Sequence, residues 1–200
     1  MGRAKAFLQR PDGTTYLEHA VRRMAECCDR VVVSMPFALT DGIQQDSHHG
    51  AGRTAGMPSP DELRRLDFQT VDVSWVVDRA ADRGPAEGLA RVLDLAADAN
   101  ADAVYCTPVD LPDLTAEDCR RLISAWRSAP ESIHCGVSQP DGRLQPLVAI
   151  YPIRLAAAID RMALSRNRGL TRWLGGQRYV AVDLPAASLR NVNTPEDLDQ

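Results

Sequence analysis

The sequence predicts an α/β domain built from parallel βαβ units, and three observations predict it. Short apolar or β-branched runs at residues 30–34, 71–77 and 103–107 alternate with longer stretches of helical period, an alternation that lays helices against a parallel sheet. Two further apolar runs, 133–138 and 147–151, flank the turn Pro140-Asp141-Gly142; a hairpin there makes the sheet mixed. A chain of 200 residues with 44% hydrophobic content is long enough for one core and one domain, residues 1–200.

Each element has its own local warrant. Thr15 with Glu18 has capping-box spacing, and Leu17, Ala20, Val21 and Met24 then recur at helical period, which gives a helix ending near Cys28. Residues 30–34 follow as a strand. From Pro36 to Pro60 the chain is polar and rich in Gly, Ser and His, so a mobile surface insertion is expected over 36–60, with a helical turn at 61–66. Residues 71–77 form the next strand and 87–97 a helix with Leu89, Val92, Leu93 and Ala96 on one side. After the strand at 103–107, Thr115 opens a helix that turns Leu122, Ile123 and Trp126 inward. Beyond the hairpin come helices at 154–162 and 170–174, the latter ending at Gly175-Gly176, and a last strand at 179–183. Thr194-Pro195-Glu196-Asp197 starts a C-terminal helix, with Thr at the cap, Pro in the first position and acids in the first turn.

The bulk properties exclude several classes. A net charge of −4, with arginines interleaved among acids, argues against a general nucleic-acid binder. No apolar run reaches membrane-spanning length, no signal-peptide core follows the polar start, and a cytoplasmic location is expected. Cys27, Cys28, Cys106, Cys119 and Cys135 show neither C-x-x-C nor zinc-finger spacing and read as free thiols, with at least one of Cys27 and Cys28 buried at a helix end. His48-His49 reads as a loop pair rather than a metal site.

Three places carry candidate chemistry. Asp110 follows a hydrophobic strand inside Pro108-Val109-Asp110-Leu111-Pro112, where ligands of open α/β sheets gather; it either holds a divalent ion on phosphates or shapes the turn. Asp78 ends the second strand ahead of Gly84-Pro85-Ala86-Glu87-Gly88, which offers either a helix N-terminus to an anion or a plain connection. Lys5, in Gly2-Arg3-Ala4-Lys5, brings an ammonium suited to phosphate and otherwise solvated.

Taken in order, Met1-Gly2-Arg3-Ala4-Lys5-Ala6-Phe7-Leu8, Tyr16-Leu17-Glu18-His19, Asp78 with Gly84-Pro85 and Gly88-Leu89, Asp110 with Pro112, Arg143-Leu144-Gln145-Pro146-Leu147 and Asn191-Val192-Asn193-Thr194-Pro195-Glu196-Asp197 resemble the molybdenum cofactor guanylyltransferases over nearly the whole chain. The resemblance implies a Rossmann-like nucleotidyltransferase fold, three-layer αβα with a mostly parallel mixed sheet. It implies binding of GTP and Mg²⁺ and transfer of GMP to molybdopterin with release of pyrophosphate. By the same resemblance Lys5 contacts the GTP phosphates, Asp78 the guanosine beside Gly84, Pro85 and Gly88, and Asp110 binds the metal. Gln145, Pro146, Asn191 and Asn193 fall near the acceptor side. The implied partners are small molecules, with transient contact to cofactor-biosynthesis proteins and molybdoenzymes, and neither nucleic acid nor membrane.

The chain also departs from that pattern. The family loop reads L-A-G-G-x-S-x-R-M-G-x-D-K; only its last part is present, with Ala4 in the place of the aspartate. The first strand and its glycines are expected upstream of Met1, and weak or no activity is expected of these 200 residues alone. In this fold that strand is central, and without it the neighbouring strands carry unpaired backbone groups. Met35-Pro36 stands where the family often has an Asn near guanine, which leaves a cytidylyltransferase relative as one alternative; the incomplete loop leaves a non-catalytic nucleotidyltransferase-like binding protein as another.

Overall fold

The computed structural model describes residues 5–36, 66, 68, 71–80, 83–130, 134–138 and 142–192. The expected insertion beyond Pro36, the turn at 61–66 apart from Leu66, His48-His49 and the C-terminal helix lie outside the described residues.

Helix α1 (Tyr16–Ala25) begins as the sequence predicts: Thr15 Oγ1 accepts from the Glu18 amide at 3.1 Å, and the Glu18 carboxylate accepts from the Thr15 amide at 2.7 Å. Its periodic residues Leu17, Ala20, Val21 and Met24 are all buried. The chain enters β1 (Val31–Met35), which pairs in parallel with β2 (Val73–Val77). Helix α2 (Pro85–Asp98) leads to β3 (Ala103–Cys106), and α3 (Ala116–Arg127) starts with a second capping box, Thr115 and Asp118. Then follow β4 (His134–Ser138), β5 (Leu144–Pro152), α4 (Ala156–Leu164), α5 (Leu170–Gly175) and β6 (Tyr179–Asp183).

Strand β5 is longer than the predicted 147–151 because Pro146 masks its start in the sequence. Pro146 is accommodated by a break in register, in which Ala149 faces Gly136 while Gln145 faces Val137, so β5 advances four residues against one of β4. A residue without an N–H fits at such a bulge, and the Tyr151 hydroxyl donates to the Pro146 carbonyl at 2.6 Å. The predicted helix at 154–162 opens instead as a 3₁₀ turn, Ile153–Leu155, before α4.

One sheet has the order β3-β5-β4-β6, with β4 and β6 parallel and β5 antiparallel to both β3 and β4. The predicted hairpin and mixed sheet are therefore present, and within this sheet β5 alone opposes the other strands. Successive β5 residues enter different cores. Val148 and Ile150 join the one that holds Leu17, Val21 and Leu122 of α1 and α3; Ala149 and Tyr151 join the one that holds Leu93 and Ile159 of α2 and α4. Strand alternation thus covers both faces and produces three layers. Among the described residues β1 and β2 form a separate pair, so the strand set divides between β1 and β3, and α2 packs on both.

Cys27, Cys28, Cys106 and Cys119 are free. Cys119 is buried, whereas Cys27 and Cys28 are both half-buried just past α1, so the expected fully buried member of that pair is not found. The side chain of Cys135 lies outside the described residues. Among the described residues no helix is long and apolar enough to cross a membrane.

Candidate active site

The carboxyl ends of β3, β4 and β6 share one edge of the sheet, and because β5 runs the other way its amino end lies there too. Since Cys106 faces Ala149, the β5 residues before Ala149, including Gln145 and Pro146, extend past β3 on the side where residues 107–112 turn.

Asp110 is the centre of the cluster at this edge. Its carbonyl accepts from the Val192 amide at 3.1 Å. The Asn191 side-chain amide is oriented with its nitrogen toward Asp110, since its oxygen would otherwise face only acceptors; it donates to Oδ1 at 2.9 Å, the carbonyl at 3.0 Å and Oδ2 at 3.1 Å. Lys5 Nζ stands 3.9 Å from Oδ2, carried by a 3₁₀ turn (Lys5–Phe7) that Phe7 anchors in the core. An ion pair this long between partly exposed side chains contributes at most about 1 kcal/mol.

A hard divalent ion binds oxygen, and in phosphate chemistry it is commonly held by one or two carboxylates together with the substrate and retained waters. Asp110 offers one such carboxylate. Among the described residues no group of three His, Cys, Asp or Glu is placed to hold a metal alone. The donor set therefore fits an ion that arrives with a polyphosphate.

A second cluster follows β2. The Asp78 amide continues the ladder by donating to the Met35 carbonyl at 3.0 Å. Gly84 caps α2 with φ 72°, a left-handed conformation that favours glycine, and supplies no side-chain cap; Pro85 has no N–H and the Glu87 amide donates to the Gly84 carbonyl at 3.1 Å, so Ala86 carries the first-turn amide that could face an anion. Gly88 permits a close approach: a Cβ there would overlap Ser34 Oγ and lie 3.6 Å from Asp78 Oδ1. Beneath them Glu87, fully buried, accepts from Arg79 Nε at 2.6 Å, Nη2 at 3.3 Å and the backbone amide at 3.2 Å; Arg79 Nη2 also pairs with Asp160. Burial pushes the Glu87 carboxyl up, but hydrogen bonds and charge from Arg79 outweigh it and hold it below its usual value.

Burial, and next the negative Glu87, push Asp78 up to about 6. The folded chain then keeps this proton where the unfolded chain releases it, so stability falls as pH rises between about 3.8 and 6. Asp78→Asn is expected to raise the melting temperature at pH 7.5 and to leave it unchanged at pH 3.5. Thermal denaturation at both values checks this, and an equal shift at both would refute the titration of Asp78 as the cause.

The structure thus joins Lys5, Asp110 and Asn191 in one cluster and Asp78, Gly84, Pro85 and Gly88 in another, and sets Gln145 and Pro146 at the same sheet edge as the first. Asn193 lies outside the described residues. Sequence reasoning missed Arg79, Glu87, Asp160 and also Arg23, which reaches the Asp110 loop from α1. Arg23 had one signal, a charge set beside Ala20 and Met24, which the helical period places on the buried side.

The sequence profile of the MobA-like NTP transferase domain matches residues 1–182. A protein of Rhodopirellula baltica named probable molybdenum cofactor guanylyltransferase is 34% identical over 200 residues, covering 99% of this chain and 83% of that protein. Among solved structures, molybdopterin-guanine dinucleotide biosynthesis protein A from Archaeoglobus fulgidus superposes with a TM-score of 0.62 at 14% identity, over 98% of this chain and 87% of the other. Rv0371c of Mycobacterium tuberculosis, solved in complex with manganese, gives 0.58 at 18% identity, over 92% of this chain and 84% of the other. At these identities the two structures speak to the fold.

Proposed function

The chain belongs to the MobA-like NTP transferase family, a family of nucleotidyltransferases, and on that premise we propose that it transfers GMP from GTP to molybdopterin, forming the guanine dinucleotide cofactor and releasing pyrophosphate, in the cytoplasm. The observation that carries the reading is the cluster in which Asn191 and the Val192 amide fix Asp110 beside Lys5. It supplies one anionic and one cationic group at the sheet edge where α/β folds bind nucleotides. The name of the Rhodopirellula baltica relative supports the choice of substrates.

In this mechanism Asp78 accepts hydrogen bonds from the guanosine, and the first turn of α2, opened by Gly84 and Pro85, faces the nucleotide. Gly88 keeps Ser34 and Asp78 close enough to form the wall of that subsite. Lys5 exchanges Asp110 for a phosphate oxygen and offsets charge on the departing pyrophosphate. Asp110 would hold Mg²⁺, whose chemistry there is charge neutralisation on the triphosphate. Gln145, Pro146 and Asn193 serve the acceptor, whose phosphate oxygen attacks the α-phosphorus in line. Little proton transfer is required. Partners are accordingly small molecules, with transient delivery to cofactor-biosynthesis proteins and molybdoenzymes.

The test is pyrophosphate release by the chain with Mg²⁺ and molybdopterin, comparing GTP with CTP. Release with GTP that is weak and depends on molybdopterin is the expected result. A preference for CTP would establish the cytidylyl alternative instead, and release indifferent to molybdopterin would overturn the acceptor.

A further inference from the structure

We propose that Arg23 is a positioning residue, a clamp that holds the loop 107–114 from inside the core in the shape that presents Asp110. The inference rests on the reading of Asp110 as the metal-side carboxylate. Arg23 is 4% exposed. Its Nη1 donates to the Leu111 carbonyl at 2.8 Å and the Leu114 carbonyl at 3.0 Å, and its Nη2 to Thr107 Oγ1 at 3.3 Å. These acceptors bracket Asp110 in sequence, one before it and two after. A guanidinium is a flat, rigid fork, so three acceptors bound to its two terminal nitrogens are fixed relative to one another as well as to α1.

Two further observations separate a clamp from mere packing. The partners named are neutral oxygens, and burying a cation against neutral groups is expensive where an apolar residue would fill the same stripe beside Ala20 and Met24. The loop is also held from its other side, where the Val192 amide and the Asn191 side chain bind Asp110 itself. Arg23 therefore fixes the flanks while residues 191 and 192 fix the centre. A carboxylate so held loses little freedom when it meets an ion or phosphate, and displacements near 1 Å at such a site cost on the order of a hundredfold in rate.

The experiment compares the parent chain with Arg23→Lys, which keeps the charge and loses the fork, and Arg23→Met, which keeps the bulk and loses the charge. The first readout is amide hydrogen exchange at Val109, Asp110 and Leu111. The second is the half-saturating Mn²⁺ concentration with GTP present, followed by electron paramagnetic resonance. Arg23→Lys is expected to exchange about tenfold faster at these amides and to need about tenfold more Mn²⁺, with KM for GTP within threefold of the parent and kcat reduced. Arg23→Met is expected to show the larger effect on both readouts without a matching loss of melting temperature.

Parent-like exchange in Arg23→Lys would overturn the clamp, and this variant decides the matter even where Arg23→Met does not fold. Faster exchange with unchanged Mn²⁺ dependence would overturn the link from loop to carboxylate. An Asp110→Asn control keeps the two readings apart: if that variant binds Mn²⁺ like the parent, the role of Asp110 fails while the exchange data still decide whether Arg23 holds the loop.

Discussion

Asp110→Asn is expected to lower divalent-dependent nucleotidyl transfer about a thousandfold while the melting temperature stays within a few degrees of the parent. Removing one preorganised group that meets transition-state charge typically costs a hundred- to a thousandfold, and this change also removes the carboxylate that would hold the ion. The fold survives because an Asn at 110 keeps the backbone carbonyl, which accepts from both Val192 and Asn191, and keeps one side-chain oxygen able to accept from Asn191. A stability loss near 1 kcal/mol corresponds to roughly 2–4 °C in a chain of this size. Initial rates over a Mg²⁺ titration, with thermal denaturation alongside, check both halves. Normal turnover by Asp110→Asn would remove this residue from the metal side of the site.

The largest stability effect is expected from Arg79→Ala. Glu87 is fully buried and takes three hydrogen bonds from Arg79, so the truncation strands a buried carboxylate with its main donors gone. Breaking a buried pair in this way costs about 3–5 kcal/mol; the Arg79 side chain is 38% exposed, which places the expected loss near the lower end, about 3 kcal/mol. That is roughly 6–12 °C in melting temperature. Adding Glu87→Gln to Arg79→Ala is expected to restore part of the loss, because the stranded group is then neutral. Urea denaturation of the single and double variants tests the pair, and additivity of the two changes would show that the buried charge is not the cause.

Helices and strands were legible wherever one residue type settles local structure. Thr15 and Thr115 mark helix starts because their hydroxyls satisfy amides that no helix can satisfy internally, and the stripe from Leu17 to Met24 marks the buried face. The start of β5 was illegible because Pro146 reads as a strand breaker until its bulge is seen. Within the candidate site, Asp110 taken by itself reads as a turn former or a ligand, as Asp78 and Lys5 also have two readings; what the sequence could not show is the convergence on Asp110 of Lys5 and Asn191, which lie 105 and 81 residues away in the chain. Arg23 and Glu87 escaped because hydropathy patterns place charges outside, and only packing reveals a charge inside with its partners.

The division of the strands between β1 and β3 also separates the two clusters. Asp78 and Ser34 go with the β1–β2 pair, whereas Asp110 lies past β3 of the four-stranded sheet. A nucleotide held by its base at Asp78 and by its phosphates at Lys5 and Asp110 would bridge what backbone hydrogen bonds leave apart. Occupancy would then act as a mechanical tie: neither piece would open without releasing the ligand, and a hundredfold excess over the dissociation constant would add about 2.7 kcal/mol against opening. On the proposed reading, the substrate would add to the cooperativity that the two strand sets already draw from the apolar core Val31 shares with Val148 and Ile150.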